Sequence, residues 1–351
     1  MSSMRINKIL HLHSGKDGGA ERFFVNLANA FGECGLEQKF VIRPKRSWRG
    51  EIADLGEIFE DHNRPISLSR VLLEFRLNRL VKSWKPDVVM AWMPRAARLI
   101  KEWPKPCKIV RLGDFPNNLK HFKNCDIIVG NLPGIEARCQ QLGWRRKTAV
   151  VSNFAREIKP IAVPRVQFDT PEDAFLIAGA GRFVNRKGMD ILIQCLQLIP
   201  EAYLWLIGEG KETNALREQA QKLGVLDRVR FVGWVQEPIH YIASADAFGM
   251  PSRHEPLGNA VLDAWQAKVP VVSTRSEGPS WYMQNGVDGL MVDIDATEAF
   301  AQKLCAIRDS EELSDQLVAG GTQRLADWFS KERIVANYLE TFGNILNDHN
   351  E

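Results

Sequence analysis

The sequence predicts an α/β fold built of two parallel-sheet domains. Three observations support it: 351 residues are too many for one ordinary core, short β-rich runs alternate with helical patterns, and this alternation occurs twice. With 45% hydrophobic and 25% charged residues, the composition is typical of a globular protein. The first residues suit a strand better than a signal peptide, and no run of about 18 apolar residues occurs, so we expect a cytoplasmic protein.

The expected strands are rich in aliphatic and β-branched residues, and each half of the chain contains a set of them. In the first half they lie near residues 8–13, 39–42, 87–92, 108–112, 126–130 and 148–152. In the second half they lie near residues 174–180, 203–208, 229–232, 246–250, 269–273 and 290–292. Helical patterns between them suit the crossover connections that parallel strands require.

Prolines mark the expected boundary between the domains. The segment 156–173 carries three prolines and few apolar positions, which indicates a linker. It would separate an N-terminal domain over residues 1–155 from a C-terminal domain over residues 174–330. The end of the chain has helical spacing and no strand pattern, so we expect residues 331–351 to form a helix that packs back on the first domain.

Charge is distributed unevenly along the chain, although the net charge is only +3. Residues 1–160 contain 29 lysines and arginines against 16 acidic residues, whereas the remainder contains 17 against 27. A basic half indicates an anionic partner such as nucleic acid, anionic lipid or a phosphorylated glycolipid, or else a solvated basic surface. The six cysteines form no CxxC pair, which favours reduced thiols over a zinc site or a disulfide framework.

Two acidic residues flank the expected start of a helix in the second half. Glu255 lies in a loop marked by prolines, and Asp263 follows beyond Gly258 and Asn259, a residue type that caps helices. Unpaired N–H groups at a helix start favour phosphate, and helical side chains lean toward that start. One anionic ligand would therefore contact the helix start and both acids.

Basic and glycine-bearing loops follow other strands of the same half. Arg182 and Lys187 share the loop 181–188, where they would clamp a diphosphate unless the loop is simply a solvated turn. Gly208 ends the next strand, and the run FVGW at 231–234 ends the one after it. Such glycines would let a flat base or a ribose pack on the backbone.

A second glycine loop follows the first strand of the chain. Gly18 and Gly19 precede an apolar helix, where they would let a ligand approach the helix start closely, although a tight turn explains them equally well. His11 and His13 lie on the strand itself. They suit a buried or edge histidine better than a catalytic group.

In combination, these motifs resemble the retaining, GT-B-fold glycosyltransferases of family 4, among them enzymes of the lipopolysaccharide-core type. The order and spacing match best between residues 175 and 295. The resemblance implies two Rossmann-like domains that face a cleft, and a nucleotide-sugar donor bound mainly by the second. It implies that Glu255 faces the donor sugar and that Asp263 holds the ribose hydroxyls. The other implied donor contacts are Gly18, Gly19, Arg182, Lys187, Gly208, Leu257, Gly258 and Asn259.

This sequence departs from the family pattern at two positions. The second acid is Asp263 rather than a glutamate, so the ribose contact would be longer or bridged by water. The family often carries a histidine at the end of a first-domain strand, near the donor sugar. The corresponding run here is 109–115, and its nearest polar candidate is Asp114, which also suits a turn. Asp114 is therefore a candidate catalytic residue beside Glu255.

The chemistry expected of this site is a retaining transfer without a metal or a cofactor. Negative charge would build on the departing diphosphate, where cations and helix-start amides stabilise it, and the departing phosphate would accept the proton. A nucleophilic Glu255 is the less favoured alternative, because no second carboxylic acid is evident where it would be needed. Asp293 and Asp295 form a D-x-D run before a helix, for which we expect helix capping rather than metal binding.

A basic amphipathic segment at residues 64–85 indicates which class of acceptor the protein uses. Its apolar side would lie on an anionic membrane or pack equally well on the first-domain sheet. Because the whole first half is basic, we favour peripheral binding to the inner face of the cytoplasmic membrane and an anionic, lipid-linked or lipopolysaccharide-core oligosaccharide acceptor. The cations assigned to this surface are Arg70, Arg76, Arg79 and Lys82.

Two other classes of protein stay open on sequence alone. A nucleotide-binding oxidoreductase or epimerase would use similar sheets, but the dinucleotide fingerprint and a Tyr-x-x-x-Lys pair are absent. A nucleic-acid-binding protein would account for the basic half and the ten tryptophans. These tryptophans are scattered, however, which favours core packing over base stacking, and we expect no nucleic-acid partner.

Overall fold

The chain forms two compact units, each built on one sheet. The computed structural model describes residues 6–16, 18–62 and 68–348, with side chains for all of these except residues 68–70 and 348. The first unit comprises the chain up to Phe154 together with the segment from Lys331, and the second comprises Ala155–Ser330. Both sheets are entirely parallel. The predicted α/β fold with two Rossmann-like parallel-sheet domains is confirmed.

Among the residues that the structure describes, the first unit contains seven strands in the order β3-β2-β1-β4-β5-β6-β7. These strands are β1 Lys8–His13, β2 Glu37–Ile42, β3 Gly56–Glu60, β4 Val88–Trp92, β5 Cys107–Leu112, β6 Ile127–Gly130 and β7 Lys147–Val150. The helices between them are α1 Gly19–Glu33, α2 Leu68–Trp84, α3 Met93–Ala97 and α4 Pro133–Gln141. A 3₁₀ helix covers Ser47–Leu55.

The second unit contains six strands in the order β10-β9-β8-β11-β12-β13. These strands are β8 Leu176–Ala180, β9 Tyr203–Ile207, β10 Val229–Gly233, β11 Ala247–Met250, β12 Val271–Thr274 and β13 Leu290–Val292. Its helices are α5 Met189–Leu198, α6 Thr213–Lys222, α7 Pro238–Ile242, α8 Asn259–Gln266, α9 Glu277–Tyr282, α10 Thr297–Asp309 and α11 Glu311–Phe329.

The last helix, α12 at Lys331–Asp348, completes the core of the first unit. Tyr338 and Phe342 on α12 lie against Phe31 of α1, with ring centroids 6.0 and 5.9 Å apart, and both side chains are fully buried. None of the helices that the structure describes combines the length and the hydropathy of a membrane-spanning segment.

The segment 156–173, expected to be a linker, is held on the second unit by hydrogen bonds. The guanidinium group of Arg165 donates to the carbonyl oxygen of Ser244 and to the carboxylate of Asp246, and the Val163 N–H donates to the Ser244 hydroxyl. Because these contacts are spread along the segment, it belongs to the body of that unit.

The sheet order places the loops after β8 and β11 next to each other. These strands are neighbours in the sheet, and the chain leaves them toward opposite edges. Ligands of open parallel sheets bind where the strand order reverses, outside the carboxyl ends of the strands. In the second unit this switch point lies between the loop 181–188 and the loop 251–258.

Candidate functional site

An ion pair joins the two loops at the switch point. Lys187, in a short 3₁₀ turn after β8, pairs with the carboxylate of Glu255 from the loop after β11. The hydroxyl of Ser252 donates to the same carboxylate at 3.3 Å. The side chains of Lys187 and Glu255 are only 18% and 11% exposed. The structure therefore brings together two residues that the sequence motifs place 68 positions apart.

Helix α9 braces the loop that carries Glu255. The Glu277 carboxylate accepts the N–H of Glu255 at 3.0 Å, and the Tyr282 hydroxyl donates to the carbonyl oxygen of Leu257 at 2.9 Å. A Cβ on Gly278 would overlap that carbonyl oxygen, so only glycine allows this close approach. Sequence reasoning missed Glu277, although its place directly after β12, at the start of a helix, was a usable signal.

Burial and hydrogen bonding act in opposite directions on Glu277. Burial alone would raise its pKa, but backbone N–H groups and His254 donate to the carboxylate, and together they hold its pKa below the ordinary value. The contact to His254 Nδ1 is 2.7 Å long. We therefore expect Glu277 to brace the Glu255 loop as an anion.

Helix α8 starts directly after the acidic loop, but its cap differs from the expectation. Gly258 is the N-cap, in a left-handed conformation with φ of 91°, and no side chain caps the helix. Asn259 is the first helical residue, so the expected Asn259 cap is wrong. The positive φ explains why a glycine, with no Cβ, stands at the turn. Leu257 and Gly258 thus lie between Glu255 and the helix, and Asn259 begins the helix.

The second acid of the motif is engaged by an arginine that sequence reasoning missed. Arg156 donates to both oxygens of Asp263, with its Nη2 3.2 Å from Oδ2 and its Nε 3.4 Å from Oδ1, and it also pairs with Glu237. Burial raises the pKa of Asp263 above its ordinary value, and the charge of Arg156 opposes that shift. No spacing rule connects residues 107 positions apart, and Arg156 lay in the presumed linker.

A cavity of about 700 Å³ opens at the carboxyl ends of β9 and β10. Gly208 follows β9 with φ of 132°, and a Cβ there would overlap the carbonyl oxygen of Gly181. Arg217 lies over Phe231 on the wall of the cavity, with its Cζ 4.1 Å from the ring centroid. Arg182, in the adjoining loop, is exposed. The cavity therefore adjoins the basic loop and is partly lined by backbone.

The D-x-D acids are ion-paired rather than capping a helix. Asp295 accepts from Arg253 Nε at 2.6 Å, and Asp293 lies 3.5 Å from Arg275 Nε. The N-cap of α10 is Ala296, with no side-chain cap hydrogen bond. The expected capping role is therefore wrong. Across residues 6–16, 18–62 and 68–348, no cluster of three or more acidic, histidine or cysteine side chains could hold a metal ion.

In the first unit, the glycine loop and the candidate Asp114 both lie at carboxyl ends of strands. Gly18 is the N-cap of α1 with φ of 151°, and Gly19 begins the helix. Asp114 follows β5, and its carboxylate accepts the N–H of Phe115 at 2.8 Å, which is a turn contact. Just behind it, the guanidinium group of Arg111 lies 2.7 Å from the position that a Cβ on Gly113 would take.

His11 and His13 are buried in an aromatic core, as expected of structural histidines. Trp92 Nε1 donates to His11 Nδ1 at 3.2 Å, so His11 Nε2 carries the proton that Gln38 accepts at 3.0 Å. Burial lowers the pKa of His11 to about 4 and that of His13 to about 3. Both rings are therefore neutral at physiological pH.

Helix α2 has two apolar sides, and one of them is open. Leu73, Leu77 and Val81 are buried. On the other side, Val71, Leu72 and Phe75 are 64%, 51% and 67% exposed. The exposed cations Arg76, Arg79 and Lys82 lie among them at helical spacing, and Arg70 lies outside the described side chains.

Two Rossmann-like units, with a basic loop and the Glu255 loop at the switch point of the second, are typical of the GT-B class of glycosyltransferases. Residues 163–324 match the family described as "Glycosyl transferases group 1". The lipopolysaccharide core biosynthesis glycosyltransferase LpsE of Rhizobium meliloti (strain 1021) is 47% identical over 95% of this chain and 98% of its own. LpsD of the same organism is 43% identical over 95% and 98%.

Solved structures agree in fold. Anabaena HepE in complex with UDP and glucose superposes with a TM-score of 0.82 at 18% identity, covering 97% of this chain and 100% of its own. WaaG, a glycosyltransferase involved in lipopolysaccharide biosynthesis, gives a TM-score of 0.70 at 16% identity, covering 93% and 98%. The chain belongs to the group 1 glycosyltransferase family. The resemblance found in its motifs is confirmed, and this membership replaces the oxidoreductase and epimerase alternative.

Proposed function

We propose that this glycosyltransferase moves a sugar from a nucleotide-diphospho-sugar to a lipopolysaccharide-core or lipid-linked oligosaccharide, with retention of configuration and without a metal ion. The observation that carries the proposal is the partly buried Lys187–Glu255 pair at the switch point, beside the start of α8 and the cavity. Lys187 and the exposed Arg182 would hold the diphosphate, while Glu255 would face the sugar. The names of LpsE and LpsD support the acceptor class.

The nucleoside would occupy the cavity beside Gly208. Backbone and the Arg217 guanidinium group, which lies over the Phe231 ring, would contact the base, and Asp263 would accept hydrogen bonds from the ribose hydroxyls. Because Arg156 already holds Asp263, we expect ribose to bind to the pair rather than to a free carboxylate. The amides of Leu257, Gly258 and Asn259, with Gly18 and Gly19 of the first unit, are the other proposed donor contacts.

The proposed chemistry relies on charge stabilisation. As the anomeric bond breaks, Arg182 and Lys187 neutralise the leaving diphosphate, which also accepts the acceptor's proton. When the donor is absent, the carboxylate of Glu255 is ion-paired with Lys187, which balances its negative charge. Asp114 stays a candidate catalytic residue. Full turnover in EDTA supports this scheme, whereas loss of turnover in EDTA with recovery in manganese would contradict it.

The donor site can be tested by calorimetry. UDP, GDP and ADP are titrated into the wild-type protein and into Arg182→Ala without added metal. One nucleotide should bind, and Arg182→Ala should weaken it by about 2 kcal/mol, the cost of a charge-assisted hydrogen bond. Arg308→Ala is the matched control, because Arg308 pairs with Asp309 at the surface of the same unit. Failure of all three nucleotides to bind the wild type would contradict the proposed donor class.

We further propose that the open side of α2 binds the cytoplasmic face of an anionic membrane. Three exposed apolar side chains next to three cations are the combination that such surfaces attract. In liposome flotation, the wild type should bind vesicles that contain phosphatidylglycerol and ignore purely zwitterionic ones. Phe75→Ser and Arg79→Glu should abolish binding, while Val166→Ser, an equally exposed site on the second unit, should not. Flotation independent of anionic lipid would contradict this surface.

A further inference from the structure

Arg253 contacts three segments at the carboxyl edge of the second sheet. Its Nη1 and Nη2 donate to the two oxygens of Asp190 at 2.9 and 2.7 Å, at the start of α5. Nε donates to Asp295, beyond β13, at 2.6 Å. Nη1 also donates to the carbonyl oxygen of Asn185 at 2.8 Å. Together these hydrogen bonds use four of the five N–H donors of the guanidinium group.

These contacts fix the loop that carries Lys187 against the loop that carries Glu255. The Arg253 N–H donates to the carbonyl oxygen of Arg186 at 2.9 Å, one residue from Lys187. A Cβ on Gly188 would overlap the carbonyl oxygen of Pro251, so the two backbones touch. The Arg253 side chain adds a hydrogen bond to the carbonyl oxygen of Asn185 in the same loop. It is thus a further link, beside the backbone contacts, between the loops that carry Lys187 and Glu255.

Arg253 also pairs with two carboxylates near the turn that carries Lys187 and offsets one of their two negative charges. Asp190 and Asp295 would otherwise present two negative charges beside the turn that carries Lys187. Hydrogen bonds and charge from Asp190, with those from Asp295, raise the pKa of Arg253 above its ordinary value against the effect of burial. A diphosphate would be repelled by both acids if this cation were absent.

We propose that Arg253 is a positioning residue for the sugar-nucleotide donor: it holds Lys187 at its distance from Glu255 and offsets one of the two negative charges that Asp190 and Asp295 place beside the diphosphate. This rests on the proposed function, which assigns the diphosphate to Lys187. Arg253 itself touches neither the donor sugar nor the reacting atoms.

The test separates positioning from simple stability by steady-state kinetics on three variants. Arg253→Met removes both the positive charge and the bidentate hydrogen bonds of the guanidinium group, whereas Arg253→Lys keeps only the charge. The control, Arg308→Met, removes a surface arginine of the same unit that pairs with its neighbour Asp309. Arg253→Met should raise KM for the donor about tenfold or more and lower kcat, with KM for the acceptor unchanged. Arg253→Lys should recover most of the donor KM and little of kcat.

Added guanidinium ion provides a second readout in Arg253→Ala, where truncation opens space beside Asp190 that a small cation can refill. It should restore part of the turnover of Arg253→Ala and have no such effect on Arg308→Ala. Donor KM unchanged in Arg253→Met, equal changes in donor and acceptor KM, or no rescue by guanidinium would each overturn the proposal. Calorimetry on the wild type distinguishes the two hypotheses: lack of nucleotide binding there removes the proposed function and this inference together, whereas normal binding with a normal Arg253→Met removes this inference alone.

Discussion

Replacing Glu255 by glutamine should strengthen the binding of the product nucleoside diphosphate while it lowers turnover. Without ligand, Glu255 is the partner of Lys187, and a diphosphate would have to take that partner's place. The amide of glutamine keeps the shape and removes the charge. Lys187 is then released for the diphosphate, although the group that faces the donor sugar is lost.

The size of the effect follows from the burial of the pair. Two unit charges about 4 Å apart attract by about 1 kcal/mol in water and by about 4 kcal/mol at an effective dielectric constant of 20. The side chains are 18% and 11% exposed, so the environment lies toward the second case, but desolvation offsets much of the gain. A net competition of about 1–2 kcal/mol corresponds to a dissociation constant about 5- to 30-fold lower in Glu255→Gln.

Calorimetry with the cognate nucleoside diphosphate at constant ionic strength measures this change. Asp309→Asn is the matched control, since it makes the same charge change at an exposed pair and should leave affinity unaltered. In the double variant Lys187→Met with Glu255→Gln the gain should vanish. Equal or weaker binding by Glu255→Gln would refute the argument that the carboxylate and the diphosphate compete for Lys187.

Three further outcomes are expected. Arg156→Met leaves the buried Asp263 without its cation, so the variant should lose about 3–5 kcal/mol of stability when the Asp263 carboxyl group is ionised. Thermal melts between pH 4.5 and pH 8 should show a smaller loss near pH 4.5 than at pH 8. Gly278→Ala should cost about 1–3 kcal/mol and reduce kcat, because the new methyl group overlaps the carbonyl oxygen of Leu257; an unchanged melting temperature would show that α9 can retreat. Because the pKa of His13 is lowered from its ordinary value of 6.5 to about 3, the protein loses stability as the pH falls through this range. In urea titrations between pH 7 and pH 4, the loss of stability should be smaller in His13→Phe than in the wild type by a few kcal/mol.

The hydrophobic pattern of the sequence was sufficient to predict the strands of both sheets, with one exception. The expected strands coincide with twelve of the strands in the structure to within a few residues, because parallel strands buried on both faces read as continuous apolar runs. Strand β3, Gly56–Glu60, was missed. It pairs with β2 at the sheet edge, where its exposed Glu57 and Glu60 break the apolar pattern.

The residues of the candidate site were easier to predict from the sequence than the side chains with which they form ion pairs. Lys187 and Glu255 follow neighbouring strands, so sheet topology alone brings them to one edge. The partnership of Arg156 with Asp263 depends on how the crossing segment packs, which no local rule encodes. The capping roles expected of the D-x-D acids failed for a related reason, since arginines distant in sequence compete for the same oxygens.

The first unit is built from two stretches of chain that are separated by the whole of the second unit. The aromatic side chains of α12 fill the core over α1, so that core stays open until residues 331–348 have left the ribosome. The second unit, by contrast, is one continuous stretch that can close during synthesis. Newly made chains would therefore contain a finished second unit and an unfinished first one, and the first unit would be the one that needs protection from aggregation until α12 has been made.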